Sequence, residues 1–385
     1  MATAAGTMVD WRGEWHEFAG VTYLNLAGQS PVPKVAIKAI QNAIEGKKFP
    51  HQVPDAEFFD GPNRVRRAIA KLIGGKPEEL ALTTGASAGT AAVAYGLKWQ
   101  PGDEVITASG EFPLQYGTWM PMAEREEITV KVVKASGAFH SAEDFIQALT
   151  PRTRLVSVSH VRFDNATMLD ARRLSAACHA EGALLLLDVS QSCGAVPMDV
   201  TELGADFLVC AGYKWLLGPF GTGFFWCKQE QIARMQPGPF YWMSAEGANN
   251  FADLGNAPAR PAPEARRWDA AETANFYNLA ALEASLELVL RAGPDKVAEH
   301  NHLLIEQLFS RLPLDRCVAA SPLERERRGP YGCFQARSSE KTLELYKKLR
   351  QENVITSLRE GKIRVSPYLY NNERDIDRLV SLVTV

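Results

Sequence analysis

From position 80 to position 227 the chain alternates short apolar runs with helix-like stretches, and few folds accommodate that rhythm. The runs occupy 80–84, 104–108, 129–133, 155–161, 183–188, 207–210 and 222–227. Most are rich in apolar residues, as strands of a buried sheet require. The pattern therefore predicts an α/β layer with a mostly parallel, seven-stranded sheet between helices. Ligands of such sheets bind outside the carboxyl ends of the strands. Gly85, Ala86, Ser87, Phe112, Asp188 and Lys214 all fall at those ends.

Periodicity fades between 236 and 264, where Pro, Gly, Ala and Asn accumulate, as expected of a long loop or crossing segment; it is expected to border the ligand site, at a position the sequence does not fix. A helix restarts near Glu272, runs through 280–290 and stops at the Arg291-Ala-Gly-Pro294 signal; another spans 296–312. Strand, helix, strand and helix then follow at 333–336, 342–352, 363–365 and 376–383, which predicts a smaller α/β domain at the carboxyl end. The expected division is an N-terminal arm over 1–20, a large domain over 21–292 and a small domain over 293–385.

Composition removes several function classes. The 42 basic and 45 acidic residues leave a formal net charge of −3, so no global field draws the chain to nucleic acid or anionic membrane. The amino terminus lacks the basic start and long apolar run of a signal peptide, and no segment reaches membrane-spanning length, which makes a cytoplasmic location the expectation. Six dispersed cysteines form no C-x-x-C pair, and the histidines are scattered apart from His300 and His302. Reduced, buried thiols and no bound metal are expected.

Lys214 ends one strand-like run, Asp188 ends the preceding one, and Gln191 lies just beyond it. Each alone has an ordinary explanation: a snorkelling lysine, a helix cap, a solvated amide. Together they suggest a pyridoxal 5′-phosphate (PLP) site. A lysine amine forms a Schiff base with the cofactor aldehyde, and a carboxylate beside the pyridine nitrogen keeps the ring protonated and able to draw charge from the substrate. Thr83-Thr-Gly-Ala-Ser87 leads from a strand into an Ala-rich helix, whose N–H groups and Ser87 hydroxyl suit a phosphate. Phe112, held at the sheet rim by Pro113, suits stacking on a pyridine ring, or plain core packing.

These features resemble the class V aminotransferase family of fold-type I PLP enzymes, which includes cysteine desulfurases, selenocysteine lyases, kynureninases and isopenicillin N epimerase. The resemblance covers nearly the whole chain. It begins at Val21-Thr-Tyr-Leu-Asn-Leu-Ala-Gly-Gln-Ser30 and passes through Thr84-Gly-Ala-Ser-Ala88, Glu111-Phe-Pro113 and Ser159-His-Val161. It is most specific at Leu187-Asp-Val-Ser-Gln-Ser-Cys-Gly194 and Gly212-Tyr-Lys-Trp-Leu-Leu-Gly-Pro219, and ends at Ile363-Arg-Val-Ser-Pro367 and beyond.

The resemblance implies Lys214 as the Schiff-base lysine, Asp188 as partner of the pyridine nitrogen and Gln191 as partner of the ring hydroxyl oxygen. It puts Phe112 in the stacking place and Ala86, Ser87 and Tyr213 at the phosphate. Thr273 resembles the phosphate contact that the family supplies from a neighbouring subunit, which implies a homodimer with shared sites. Arg364 falls where the family grips the substrate α-carboxylate, with Arg359 the second candidate. Three departures stand out. The stretch 353–364 is short and lacks the persulfide-forming cysteine of desulfurases; Ala211 replaces a phosphate-binding serine of some relatives; and either Phe163 or Asn165 could fill a cofactor-contacting place. The expected activity is that of a PLP enzyme acting on an amino acid, transamination preferred narrowly over β-lyase or epimerase chemistry. A non-catalytic binding module of the same fold is the further alternative.

Overall fold

A computed structural model describes residues 10–384; residues 1–9 of the expected N-terminal arm lie outside the described residues. The chain enters through β1 (Thr22–Tyr23). The central sheet is built from β2 (Leu80–Thr83), β3 (Glu104–Ala108), β4 (Thr129–Val133), β5 (Thr153–Ser159), β6 (Leu184–Asp188), β7 (Phe207–Ala211) and β8 (Gly223–Cys227). Its order is β2-β8-β7-β6-β5-β3-β4, and only β8 runs antiparallel to its neighbours. The mostly parallel seven-stranded sheet expected from the apolar runs is therefore present.

The composition of β6 shows why the sheet is central. Its four leucines alternate between faces, and both faces are apolar: Leu185 and Leu187 join a core with Leu174 and Trp215, Leu184 and Leu186 one with Phe207 and Phe225. Each leucine fully removed from water contributes about 1.5–3 kcal/mol. At one edge, β4 is only half-covered, with Val132 exposed. At the other, Asp269 and the backbone of Ala270 complete the hydrogen bonding of β2: Leu82 N donates to Asp269 Oδ1 at 2.9 Å, and Ala270 N to Leu82 O at 2.9 Å. Arg66, buried beside it, pairs with Asp269.

The helix Ala86–Gly96 lies directly on the sheet. Gly89 permits that approach, since a Cβ there would come within 2.6 Å of Val209 Cγ1. Downstream, the helix expected to restart near Glu272 begins at Phe276, because Glu272 has φ +59° and the Asn275 side chain caps the first turn through Asn278 N. Gly293, at φ +84°, ends it, and Pro294 opens the next helix, Pro294–Arg311.

A second sheet contains β9 (Cys317–Ala319) and β10 (Gly332–Ala336); β11 (Val354–Ile355) pairs in parallel with β1; β12 (Ser357–Arg359) and β13 (Lys362–Val365) complete the second sheet in the order β12-β13-β10-β9. Strands β9, β11 and β12 were not among the expected elements, because two or three residues are too few to display an alternation. The cysteines are buried and unpaired. No helix among the described residues is long and apolar enough to cross a membrane.

Candidate active site

The carboxyl ends of β5, β6 and β7 open on a cavity of about 310 Å³, large enough for a small cofactor. Ala86, Ser87, Phe112, Asp188, Gln191, Tyr213 and Lys214 all line it. Sequence placed Ala86, Ser87, Phe112, Asp188 and Lys214 at strand ends and Gln191 just beyond one, the family resemblance added Tyr213, and the sheet order brings those ends side by side.

Asp188 forms the floor. The turn after β6 folds back so that Ser190 N donates to Asp188 Oδ1 at 2.8 Å, while Ser190 Oγ accepts from Ala211 N at 2.9 Å. The ends of β6 and β7 are thus joined through one serine. Gln191 is held at both ends of its amide: Trp215 Nε1 donates to its Oε1 at 2.9 Å, and its Nε2 donates to Ala27 O at 3.1 Å. The Nε2 keeps a second hydrogen for a ligand.

Lys214 extends from the turn after β7, its Nζ 5.6 Å from the centroid of the Phe112 ring and 5.7 Å from that of Tyr213. Burial lowers its pKa below that of a free lysine, Asp188 opposes that shift, and Arg364 and Arg359 add to it. The amine therefore loses its proton more readily than an exposed one, as a nucleophile requires. Burial, together with Asp188, raises the pKa of Tyr213, keeping its hydroxyl protonated. Phe112 is 43% exposed, unusual for a phenylalanine at a sheet rim unless something covers it, and Phe163 meets it edge-on with centroids 5.4 Å apart.

At the opposite end, Thr84 to Ala88 line the wall, and the helix Ala86–Gly96 points its N-terminus into the cavity. The first N–H groups of a helix have no intrahelical acceptor, and the Ser87 and Thr84 side chains are exposed beside them. This end suits an anion.

Two expected residues stand apart. Thr273 lies outside this cavity, buried, with its hydroxyl on Ala270 O, and lines neighbouring pockets. Arg364 touches the cavity wall from behind: it is buried and donates Nη1 to Phe163 O at 2.9 Å and Nε to Ser357 Oγ at 3.1 Å. Of the two candidates near the β5 exit, Phe163 lines the cavity, whereas Asn165 turns to accept from Thr167 N at 2.9 Å. The segment 236–264, expected beside the ligand site, supplies none of the cavity's lining residues. Arg266 holds it elsewhere by donating to Met243 O and Ala245 O, so Met243 and Asn249 border the pocket that contains Thr273.

Sequence reading missed a buried polar layer beneath Phe112. Glu111 accepts from Ser159 N at 2.9 Å and Ser159 Oγ at 2.7 Å, and Arg162 Nη1 lies 3.8 Å away. Burial raises the Glu111 pKa, while Arg162 and Ser159 oppose the shift. Gln115 is buried too, accepting from Ser157 Oγ at 2.7 Å with its Nε2 3.5 Å from Asp188 Oδ2. The available signal was a polar residue inside an otherwise apolar strand, at Ser157 and Ser159.

The family model for aminotransferase class-V matches residues 22–379. The chain belongs to the class V aminotransferase family. Its cofactor is therefore pyridoxal 5′-phosphate, and it is a PLP-dependent enzyme acting on amino acids. Similar family members include a probable cysteine desulfurase of Methanothermobacter thermautotrophicus, 29% identical over 75% of this chain and 71% of the relative. The isopenicillin N epimerase of Streptomyces clavuligerus is 24% identical over 95% and 96%. A solved structure of the cystine C–S lyase C-DES with cysteine persulfide superposes with a TM-score of 0.85 at 24% identity, covering 95% of this chain and 97% of that one; it shares the fold.

The donor set fits the class V cofactor. The cavity offers an exposed ring to stack on, an anion-seeking helix end, a buried carboxylate and one amine, and these are the groups that a pyridine ring, a phosphate, a ring nitrogen and an aldehyde call for. No cysteine lines the cavity.

Proposed function

We propose that this class V enzyme is an aminotransferase whose attaching and proton-moving group is Lys214. The observation that carries the proposal is the wall chemistry: Asp188, Tyr213 and Lys214 are the titratable side chains that line the cavity, and burial lowers the pKa of Lys214. Bound PLP supplies an electron sink for charge left at the substrate α-carbon. Asp188, held by Ser190 N, would keep the ring nitrogen protonated; Gln191 would meet the ring hydroxyl oxygen, Phe112 would cover the ring, and Ala86, Ser87 and Tyr213 would hold the phosphate. Arg364 draws the substrate α-carboxylate to the Phe163 side of the cavity. Lys214 would take the α-proton and deliver it to the cofactor and not back to the α-carbon, which balances as a 2-oxo acid product and an amine form of the cofactor.

One base working on one face suits transamination. Epimerisation needs a second proton donor, and the Phe112 and Phe163 rings that line the cavity supply none. We further propose a homodimer in which Thr273 completes the partner's phosphate site, in keeping with its position outside the cavity.

The test is to load the protein with PLP, add amino acids singly with 2-oxo acids as acceptors, and compare Lys214→Ala. Transamination yields a 2-oxo acid and an amine form of the cofactor that an added 2-oxo acid reverses. Ammonia release instead identifies a β-lyase, and inversion at the α-carbon an epimerase. Binding without turnover by any amino acid identifies a non-catalytic module.

A further inference from the structure

Strand β5 outruns its neighbour β3. Their pairing ends at Ile106 and Val156, whereas β5 continues beside β6 as far as the pair of Ser159 and Asp188. From Ser157 to Ser159 the β3 side of β5 therefore has no strand against it, and the segment 109–115, which carries Phe112, docks there. Two side chains of that segment stand in for the missing strand. Glu111 accepts from Ser159 N at 2.9 Å and from Ser159 Oγ at 2.7 Å, and Gln115 accepts from Ser157 Oγ at 2.7 Å.

A neutral carbonyl would satisfy Ser159 N as well as a carboxylate does. The second oxygen of Glu111 does more: Phe112 N donates to Glu111 Oε2 at 3.3 Å, so one buried side chain joins β5 to the backbone of the stacking residue. Arg162 holds the same loop just upstream, donating Nη2 to Ser109 O at 3.1 Å and to Gly110 O at 2.5 Å, with its Nη1 3.8 Å from Glu111 Oε1. A carboxylate taken out of water is unfavourable unless its oxygens are satisfied, and Ser159, Phe112 N and Arg162 satisfy these. The Phe112 ring has little packing of its own, being 43% exposed and touched edge-on by Phe163. Its place over the cavity is set by its backbone, and the backbone by Glu111.

Resting on the reading of the Lys214 cavity as the PLP site, we propose that Glu111 is a positioning residue for the cofactor, its carboxylate holding the Phe112 ring where it covers the pyridine ring. Glu111 stands behind the cavity wall and is not among its lining residues. It acts through Phe112.

The test is Glu111→Gln, which keeps the size of the side chain but turns one acceptor oxygen into a donor that faces other donors. In the PLP-free protein, the amides of 109–115 should exchange with solvent about tenfold faster, the worth of one charge-assisted hydrogen bond, with those of β6 unchanged. PLP affinity, titrated by absorbance, should fall about threefold to tenfold, the range for an aromatic stacking contact. The circular dichroism that the protein induces in bound PLP should weaken while the Lys214-dependent band persists. In a Phe112→Ala background the same substitution should cost no further affinity, because the ring that Glu111 holds is gone. If Glu111→Gln does not fold, Ser159→Ala, which removes one donor to the same carboxylate, carries the same expectations. Unchanged exchange in 109–115, or an affinity loss that persists in full without Phe112, overturns the proposal. So does faster exchange with PLP affinity and dichroism intact, which would assign Glu111 to the sheet alone. Absence of any Lys214-dependent absorbance band in the unmodified protein is a different outcome, and would sink the site reading and this inference together.

Discussion

Trp215 donates its indole N–H to Gln191 Oε1 across 2.9 Å, joining the turn after β7 to the turn after β6 beneath the cavity. The bond leaves Gln191 Nε2 directed to Ala27 O, with one hydrogen free. Trp215→Phe keeps the apolar packing and removes this bond, which should weaken PLP binding roughly threefold to tenfold, the worth of one neutral hydrogen bond. Cofactor titration followed by absorbance measures it. An affinity equal to the unmodified protein's would show that Gln191 needs no such anchor.

Asp188 acts, in our reading, on the charge that develops during reaction more than on binding. Asp188→Asn should lower kcat by about a hundredfold to a thousandfold, the range for removing one preorganised electrostatic partner, with a smaller change in PLP affinity. Parallel loss of affinity and rate would instead assign Asp188 to retention alone.

Arg66 and Asp269 form an ion pair with side chains 6% and 7% exposed, and Asp269 also accepts from Leu82 N at the edge of β2. Asp269→Ala leaves the guanidinium uncompensated and one strand donor free. We expect a loss of about 3–5 kcal/mol in unfolding free energy, since breaking a buried pair costs more than the pair contributes. Urea unfolding monitored by tryptophan fluorescence would reveal it, and a change under 1 kcal/mol, on the scale of an exposed pair, would contradict the burial argument.

Burial lowers the pKa of His160 to about 4 from the ordinary 6.5, with Ser192 Oγ on its Nδ1 at 2.9 Å. Its folded pKa lies below its unfolded one, so the unfolded chain binds the proton first as pH falls. His160's contribution is complete above pH 6.5 and lost as pH drops from there toward 4, by about 3 kcal/mol in total. PLP-free protein unfolded in urea at pH 7 and pH 4.5 should show this loss, and His160→Asn should flatten the difference. An unchanged slope in the variant would assign the acid sensitivity to other groups.

The central sheet was legible because β6 to β8 are apolar on both faces, and a short run such as Leu184 to Leu187 suits a strand in a buried sheet. Asp188 and Lys214 stood out because charge at the end of such a run needs an explanation. Glu111 and Gln115 did not stand out, since a buried polar residue is identified by the partner that satisfies it, and Ser159 and Ser157 lie 48 and 42 residues away along the chain.

Sequence alone determined which segments become the strands of the central sheet and which residue types stand at their ends, because hydrophobic period and local chain stiffness are properties of neighbours along the chain. The tertiary structure alone decided that Phe163 and not Asn165 faces the cavity, that Arg359 and Arg364 share one hairpin face, and that the segment 236–264 settles beside Thr273 away from Lys214. Those outcomes depend on register, turn direction and long-range hydrogen bonds, in which positions far apart in sequence come together.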